Sequence, residues 1–300
     1  MATAPITDDD ERLHPVEDPS PHWSDSLYFN AWDPATNAFL MTRIAVRANE
    51  PAATAGMIVW VDGMPVWGYG HDLTEVPPTD WDVMPVGAIT YRMLSSCQTW
   101  AVQVADGDHV AHLEWDGLSP ATHYNANPNG PLPRPVAWGH YEQTCRVTGD
   151  LRVGGQSIRF DGFGQRDHSW GFRHWAGLDQ WHWVTCFFED GRSANLFEVH
   201  APDGSIAVNG FVHGADGDEY VVAATRTLDR SDDGGAERYA MELALADGST
   251  FAVTAERGGL SLPVRPAPDQ PVVVHETPMR LTAADGTRGY GIYEHLVRER

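Results

Sequence analysis

The sequence predicts an all-β protein whose strands form two barrel-like halves. Two observations carry this prediction: Asp-Gly pairs recur along the chain, and the apolar runs between them lack a helical period. Ten such pairs occur, with their aspartates at positions 62, 106, 116, 161, 190, 203, 216, 233, 247 and 285. Asp-Gly between apolar runs favours a hairpin turn because both central residues need positive φ. The spacing therefore predicts a meander of antiparallel strands.

The apolar runs are rich in β-branched, aromatic or alternating residues. The clearest are Phe39–Val46, Met57–Val61, Ala101–Val104, Trp181–Phe188, Ser205–Val212, Arg238–Leu245 and Val272–His275. None sustains a period of about 3.6 residues, so we expect few and short helices. Sheets closed into barrels would remove the exposed edges of so many strands.

The length of 300 residues suits two sheet domains. Residues 1–22 are polar and proline-rich, which predicts a flexible N-terminal arm. The segment 119–135 carries five prolines and little hydrophobicity. We therefore predict a linker at 119–135 between an N-terminal domain, 23–118, and a C-terminal domain, 136–300.

The charge balance excludes several classes of partner. The chain has 20 Lys and Arg against 42 Asp and Glu, a formal net charge of −22. Binding to nucleic acid needs a clustered basic surface, so nucleic acid is excluded, as are anionic membranes and polyphosphates. The start of the chain has no signal-peptide pattern, and no apolar run approaches the roughly 18 residues of a membrane span. We expect a cytoplasmic protein with no membrane span.

The sequence also lacks the motifs of common cofactors. The three cysteines, Cys97, Cys145 and Cys186, have no close spacing. A disulfide framework or a CxxC metal site is therefore not expected. HExxH, GxGxxG, the P-loop and GxSxG are missing, so we predict no metal, no nucleotide cofactor and no serine nucleophile.

Residues 161–183 hold the densest set of chemically active side chains. Four of the 12 tryptophans and three of the 14 histidines fall there. Asp167, His168 and Trp170 together offer a carboxylate, a group that titrates near neutrality and a π-face, which can move a proton and stabilise a cation. The alternative is architectural, because aromatic turns also close barrel ends and Arg166 with Asp167 is a candidate buried ion pair.

Strand alternation adds further candidates. Trp181 and Trp183 share one face of a strand, whereas His182 lies on the other and is expected to be a structural histidine. Glu294 lies between two aliphatic residues of its own face, which would bury it and perturb its pKa. Tyr28 lies on an alternating strand and either lines the mouth of a barrel or decorates its outside.

The run Gly164–Gly171 resembles the Asp-His-x-Trp-Gly signature of the carotenoid 1,2-hydratase (hydroxyneurosporene synthase) superfamily, which also includes kievitone hydratase-like proteins. Tyr141–Gln143, Ser26–Asn30 and Gly289–Glu294 support the resemblance, which spans most of the chain and is nearer to the uncharacterised bacterial branch. It implies two tandem lipocalin-like antiparallel β-barrels or half-barrels, with the signature in the C-terminal domain.

The resemblance also implies site residues. A His-x-Trp pair is implicated in catalysis in the family and maps onto His168 and Trp170. The family's downstream Tyr-x-Asp pair has no match in Ser193–His200, where Glu198 is the candidate substitute. The substrate-binding candidates are Tyr28, Trp175, Trp181, Trp183, Phe197 and Glu198.

A hydratase acting on an isoprenoid double bond needs an acid, a π-face for the resulting cation and a base that activates water. Asp167 with His168 is the candidate acid. Trp170 or Trp175 is the candidate π-face. Glu142 or Glu294 is the candidate base.

The resulting hypothesis is a cofactor-independent lyase or isomerase, above all a hydratase or dehydratase of a C=C bond in a terpenoid or similar hydrophobic substrate. One alternative is a cofactor-free cyclase or isomerase of a terpenoid or polyketide-like substrate. Another is a protein that binds a lipophilic ligand without catalysis. The expected partner is a small hydrophobic molecule, and the oligomeric state is left open, with a homodimer as one alternative.

Overall fold

The computed structural model describes residues 5–50, 52–73, 80–265 and 270–299. Its described residues form β-strands and two short 3₁₀ turns, which confirms the all-β prediction. None of the described segments contains a helix with the length and hydrophobicity to cross a membrane. The chain divides into two compact units: unit 1 comprises Met1–His123 and Ala137–Arg173, and unit 2 comprises Tyr124–Val136 and His174–Arg300.

Unit 1 is built on a nearly closed antiparallel barrel. Its strands are β1 (Trp23–Asp33), β2 (Ala38–Arg47), β3 (Ala52–Val61), β4 (Met64–Leu73), β5 (Val83–Val86), β6 (Ile89–Ser95), β7 (Thr99–Asp106), β8 (His109–Gly117), β9 (Thr122–His123), β10 (Gly139–Val153) and β11 (Gln156–Phe172). The strand order is β4-β3-β2-β1-β11-β10-β8-β7-β6-β5, and the short β9 pairs with β10. The strand β11 thus lies between β1 and β10 and joins the two halves of the sheet.

The interior of unit 1 is filled with apolar and aromatic side chains. Leu27 and Phe29 of β1 point into it with Trp100 and Trp115, and all four are fully buried. Phe29 packs edge-on against Trp115, with ring centroids 5.3 Å apart. Residues directly opposite one another on paired strands point to the same face of the sheet. The residues of β11 that lie opposite Leu27 and Phe29 of β1 therefore point inward as well.

Unit 2 is a closed barrel of eight strands. Its elements are two 3₁₀ turns, Tyr124–Ala126 and Trp175–Gly177, followed by β12 (Gln180–Phe188), β13 (Ser193–His200), β14 (Ile206–Gly214), β15 (Gly217–Arg230), β16 (Ala236–Leu245), β17 (Thr250–Arg257), β18 (Leu262–Val264), β19 (Val272–Ala283) and β20 (Arg288–Arg298). The order β17-β16-β15-β14-β13-β12-β20-β19 closes through the pairing of β17 with β19, and β18 pairs with β19.

Most of the Asp-Gly pairs lie in the predicted hairpin turns. Eight of the ten connect consecutive strands, those at 62, 106, 190, 203, 216, 233, 247 and 285. The pair at 161 instead continues through β11, where a side chain on Gly162 would meet the Trp32 carbonyl oxygen at 1.9 Å. Glycine is needed there for close strand packing rather than for a turn.

The division into units differs from the predicted domain boundaries. β10 and β11, which were expected in the C-terminal domain, belong to unit 1, because residues 163–172 of β11 pair with residues 23–32 of β1. The signature Gly164–Gly171 therefore lies in unit 1. The expected linker is not a free connection, since its residues from Tyr124 onward belong to unit 2. There, Asn127 donates to the Val221 carbonyl oxygen at 2.8 Å and Asn129 to the Val208 carbonyl oxygen at 3.0 Å.

The expected flexible arm is also different in its described part, residues 5–22. Glu11 is fully buried and forms an ion pair with Arg166 of β11, with 2.7 Å between Oε1 and Nη2. It also accepts a hydrogen bond from Nε1 of Trp100 at 2.8 Å. This segment is fixed because it supplies the carboxylate that neutralises a buried guanidinium.

Candidate functional site

The signature strand β11 presents two chemically different faces. His168 lies opposite Leu27 of β1 and Tyr141 of β10, whereas Asp167 lies opposite Tyr28 and Glu142. Neighbouring residues in a strand point to opposite faces, so Asp167 and His168 do not act together as one acid. His168 and Trp170 point into unit 1, and Asp167 points away from its core.

His168 is held by a buried carboxylate that the sequence analysis did not identify. Its Nε2 lies 2.5 Å from Oδ1 of Asp25, and the Tyr141 hydroxyl lies 3.3 Å from its Nδ1. The other oxygen of Asp25 accepts hydrogen bonds from the backbone nitrogen of His14 at 2.8 Å and contacts His14 Nδ1 at 3.1 Å. Burial alone would raise the pKa of Asp25, but His168 and His14 outweigh it and lower that pKa.

Aromatic rings enclose this group. Trp170 stacks on His14 with centroids 3.6 Å apart, and Trp81 stacks on His168 at 5.2 Å. Gly139 of β10 faces Trp170, where a Cβ atom would lie 2.1 Å from the indole, so only glycine leaves room for this ring. His168 itself is 0% exposed with both ring nitrogens engaged. The surroundings of His168 are therefore those of a residue that stabilises the fold.

Arg166 extends the same buried network. Besides Glu11, its guanidinium donates to Gln143 Oε1 at 2.7 Å and lies over the Tyr141 ring, 5.5 Å from the ring centroid. The Arg166–Asp167 ion pair that the sequence suggested is not formed, because Arg166 shares the face of His168 and Trp170. The ligand atoms of His14, Asp25 and His168 lie within 4.8 Å of one another, so these three residues could also hold a metal ion.

The outer face of β11 carries the acid–base groups that the sequence analysis selected. Asp167 is partly exposed and lies between Tyr28 of β1 and Glu142 of β10. Burial raises the pKa of Asp167 to about 6, with the charge of Glu142 adding to the shift while His140 and Arg173 oppose it. Such a pKa is suited to proton transfer near neutral pH.

Glu142 is paired with a histidine that the sequence analysis missed. His140 Nε2 lies 2.9 Å from Glu142 Oε1, and both side chains are buried. Burial lowers the pKa of His140 to about 4, so its ring is neutral near pH 7 and donates a hydrogen bond to the carboxylate. The period-two spacing of His140 and Glu142 was the available signal.

Hydroxyl groups border the same face. Nη1 of Arg173 donates to the hydroxyl oxygens of Ser26 and Ser169, each at 2.6 Å. The structure therefore brings together three of the predicted residues, Asp167, Glu142 and Tyr28, on one polar face of unit 1. We call the set Asp167, Glu142 and His140 the acid–base face.

Unit 2 brings together a second group of predicted residues. Trp181 packs edge-on against Trp175 and against Phe197, with centroid distances of 5.2 and 5.5 Å. Trp183 lies in register with Phe197 and with Glu294 on the same face of β12. The Trp181 indole nitrogen donates to Glu294 Oε1 at 2.6 Å. This aromatic face thus has a carboxyl group at its edge.

The carboxyl group of Glu294 has an acidic neighbour that the sequence analysis did not select. Glu276 of β19 lies opposite Glu294 and is 3% exposed. Burial, and then the charge and hydrogen bond of Glu294, raise the pKa of Glu276 well above its usual value. Two carboxyl groups hydrogen-bonded to each other need a proton between them, so the pair favours its singly protonated form over two carboxylates.

Glu198 is separated from the aromatic face by strand alternation. It lies opposite His182 and points into the barrel of unit 2, where Arg226 Nη2 donates to its Oε1 at 2.7 Å. His182 Nδ1 lies 2.9 Å from the Tyr293 hydroxyl. The ligand atoms of His182, Glu198 and His200 lie within 4.8 Å of one another, which makes this the second group that could hold a metal ion.

An open groove of about 490 Å³ lies elsewhere in unit 2. It is lined by residues 129–132 together with residues 206–209 of β14 and 222–224 of β15. The predicted site residues are all absent from its lining.

Comparison with known proteins identifies the family. Residues 7–298 match the model of DUF7064, a domain of unknown function, so the chain belongs to that family. No curated protein matches the chain.

Solved structures share the fold at low sequence identity. A protein assigned as AttH from Nitrosomonas europaea has a TM-score of 0.70 at 14% identity, over 96% of this chain and 95% of its own. Kievitone hydratase from Nectria haematococca has a TM-score of 0.64 at 11% identity, over 91% and 88% of the two chains. CghA, solved with Sch210972, has a TM-score of 0.64 at 15% identity, over 93% and 89%. The twin-barrel fold implied by the signature is therefore shared with kievitone hydratase.

Proposed function

We propose that this protein is a cofactor-independent acid–base enzyme of the lyase or isomerase class. We propose that it adds water to a C=C bond of a terpenoid or similar hydrophobic molecule, or forms such a bond by removing water. The observation that carries the proposal is Asp167, a partly exposed carboxyl group whose pKa is raised to about 6 beside the Glu142–His140 pair. Kievitone hydratase, by its name a hydratase, supports the reaction class, since it has the same fold.

The acid–base face supplies the two groups that hydration needs. Protonated Asp167 donates a proton to one alkene carbon, which leaves a carbocation at the other. Water adds its oxygen to that carbon, and the Glu142–His140 pair accepts the proton that the water loses. The reverse sequence removes water, and loss of a proton from the cation without water addition gives an isomerised alkene.

The aromatic side chains of unit 2 support the proposal that the substrate is hydrophobic. Trp181, Trp183 and Phe197 are neighbouring apolar rings, buried in this structure, and their chemistry suits the hydrophobic class of substrate. His168 and Trp170 then act through the fold, by holding β11 in place.

The test is turnover in water labelled with ¹⁸O. The protein is incubated with a panel of acyclic terpenoid alkenes such as geraniol and farnesol, and products are analysed by mass spectrometry. We expect ¹⁸O in the product, a rate that falls as the pH rises above about 6 because the acid loses its proton, and a loss of about 100-fold or more in Asp167→Asn.

The matched control is Asp161→Asn, the same change on the same strand at an exposed residue paired with Arg146. It should keep the activity of the unmodified protein. Products without ¹⁸O would favour the isomerase or cyclase. A co-purifying lipophile in native mass spectrometry with no turnover of the panel, or full activity in Asp167→Asn, would contradict the proposal.

A further inference from the structure

The interior of the unit 2 barrel contains a histidine-rich group outside the acid–base face. His182 of β12 lies opposite Glu198 of β13 and His295 of β20, and His200 follows two residues after Glu198. His182 and His295 are 1% and 2% exposed. Four polar side chains thus converge at one place inside the barrel, next to its apolar core.

Three of these side chains have the arrangement of a metal site. The ligand atoms of His182, Glu198 and His200 lie within 4.8 Å of one another. The rings of His182 and His200 are nearly perpendicular, at 82°, with centroids 5.6 Å apart. In a tetrahedral zinc site, bonds of about 2.0–2.1 Å place ligand atoms roughly 3.3 Å apart, so small side-chain rotations suffice to close the set around an ion.

Outer contacts orient two of these three side chains. Nδ1 of His182 is engaged by the Tyr293 hydroxyl at 2.9 Å, which leaves Nε2 as the ligand atom. Glu198 is fixed by Arg226, with 2.7 Å between Oε1 and Nη2. Metal-bound histidines and carboxylates usually have such second partners, which set the ring orientation and the tautomer.

We propose that His182, Glu198 and His200 bind a divalent transition-metal ion such as Zn²⁺ inside the barrel of unit 2. In this structure His200 Nε2 and Glu198 Oε1 are 2.5 Å apart and form a hydrogen bond, which the ion would replace. Three protein ligands leave a coordination position open for water or another small ligand.

The charges nearby limit the affinity. Arg226 contacts the ligand Glu198, and Arg230 lies 3.0 Å from Nε2 of His295. Two guanidinium groups repel a cation, whereas one carboxylate attracts it, so binding is expected to be weaker than at an all-neutral histidine site. The same charges make a small oxyanion the competing occupant, and the experiment distinguishes the two.

The experiment uses the full chain stripped of metal with a chelator and titrated with Co²⁺ and Zn²⁺. We expect one equivalent of Co²⁺ to give the d–d absorption of a tetrahedral site with nitrogen and oxygen ligands, and Zn²⁺ to displace it. His200→Ala and Glu198→Gln should each weaken binding by more than about tenfold, and Tyr293→Phe by a smaller factor.

Two control variants locate the ion. His213→Ala removes a histidine of unit 2 that pairs with Asp218 at 2.6 Å, away from the proposed ligands. His14→Ala removes a member of the other group that could hold an ion, in unit 1. Both should bind Co²⁺ as the unmodified protein does.

Circular dichroism of the metal-free variants checks that each is folded. Because His200 is 22% exposed, its truncation should leave the barrel intact. Absence of Co²⁺ binding, loss of binding in His14→Ala alone, unchanged binding in both ligand variants, or saturable binding of phosphate with no binding of Co²⁺ would each overturn the proposal.

Discussion

The two units bury carboxyl groups in opposite ways. In unit 1, Glu11 and Asp25 are fully buried, and each meets a cationic or protonatable partner, Arg166 and His168. In unit 2, Glu276 meets another carboxyl group, that of Glu294. The first arrangement gives each buried acid a partner from a distant segment, whereas the second favours a proton held between two acids.

This difference distinguishes carboxyl groups that stabilise the fold from carboxyl groups that can transfer a proton. A buried ion pair with every partner in place is expensive to break and has little capacity for proton exchange. A carboxyl group that remains protonated, or one with a pKa near 6 such as Asp167, can give up a proton at ordinary pH. The signature strand contains both kinds of group on its two faces.

The largest expected effect is the loss of the Glu11–Arg166 pair. Glu11→Gln leaves the Arg166 guanidinium buried without its counter-charge, which should lower the free energy of unfolding by about 3–5 kcal/mol. Urea unfolding at pH 7 measures the change. The control is Asp150→Asn, which removes the exposed pair with Arg159 and should cost about 0–1 kcal/mol. Equal effects in both variants would mean that the N-terminal segment does not hold the barrel.

The fold was largely predictable from the sequence because strands and hairpins are local. All seven predicted runs fall on strands, with Ser205 alone lying just before β14. The contact of β11 with β1 was not predictable from hairpins, since it joins residues such as Asp25 and His168 that are 143 positions apart. The same long-range pairing explains why the expected domain boundaries differ from the two units.

The candidate site was predictable only in part. Asp167 was selected because it stands beside His168 and Trp170, and Glu294 because it lies between two aliphatic residues of its face. Glu142 was selected as a candidate base in a run that supports the family resemblance. Glu276 was missed because it meets Glu294 only through strand register, whereas His140 lies two residues before Glu142 and could have been found from that spacing. The opposite orientation of Asp167 and His168 follows from strand alternation alone and could have been predicted from their adjacent positions.

The next effect concerns the Asp25–His168 contact and its pH dependence. Asp25→Asn should lower the free energy of unfolding by about 2–4 kcal/mol at pH 7, because His168 and His14 lose a charged acceptor. The pKa of Asp25 is lowered in the folded protein, so its contribution is present above the unfolded value of 3.8 and is lost as the pH falls.

Unfolding of the unmodified protein and the variant between pH 3 and pH 7 measures this dependence. The two curves should converge towards acid pH. A difference that stays constant down to pH 3 would show that Asp25 contributes through packing rather than through its charge.

The smallest expected effect is at the carboxyl pair of unit 2. Glu276→Gln replaces a protonated acid by a neutral group of the same shape, so at pH 5 the free energy of unfolding should change by less than about 1 kcal/mol. Glu256→Gln, at an exposed residue of β17 paired with Arg280, is the matched control.

The sign of the pH dependence separates Glu276 from Asp25. The pKa of Glu276 is raised in the folded protein, so the stability that its neutral form contributes is present below the unfolded value of 4.5 and is lost as the pH rises. The variant cannot ionise there and should gain stability relative to the unmodified protein between pH 5 and pH 8. Thermal unfolding across that range measures the gain. If the variant instead loses stability relative to the unmodified protein as the pH rises, the pair is ionised in the folded state. The contrast between the two units then fails.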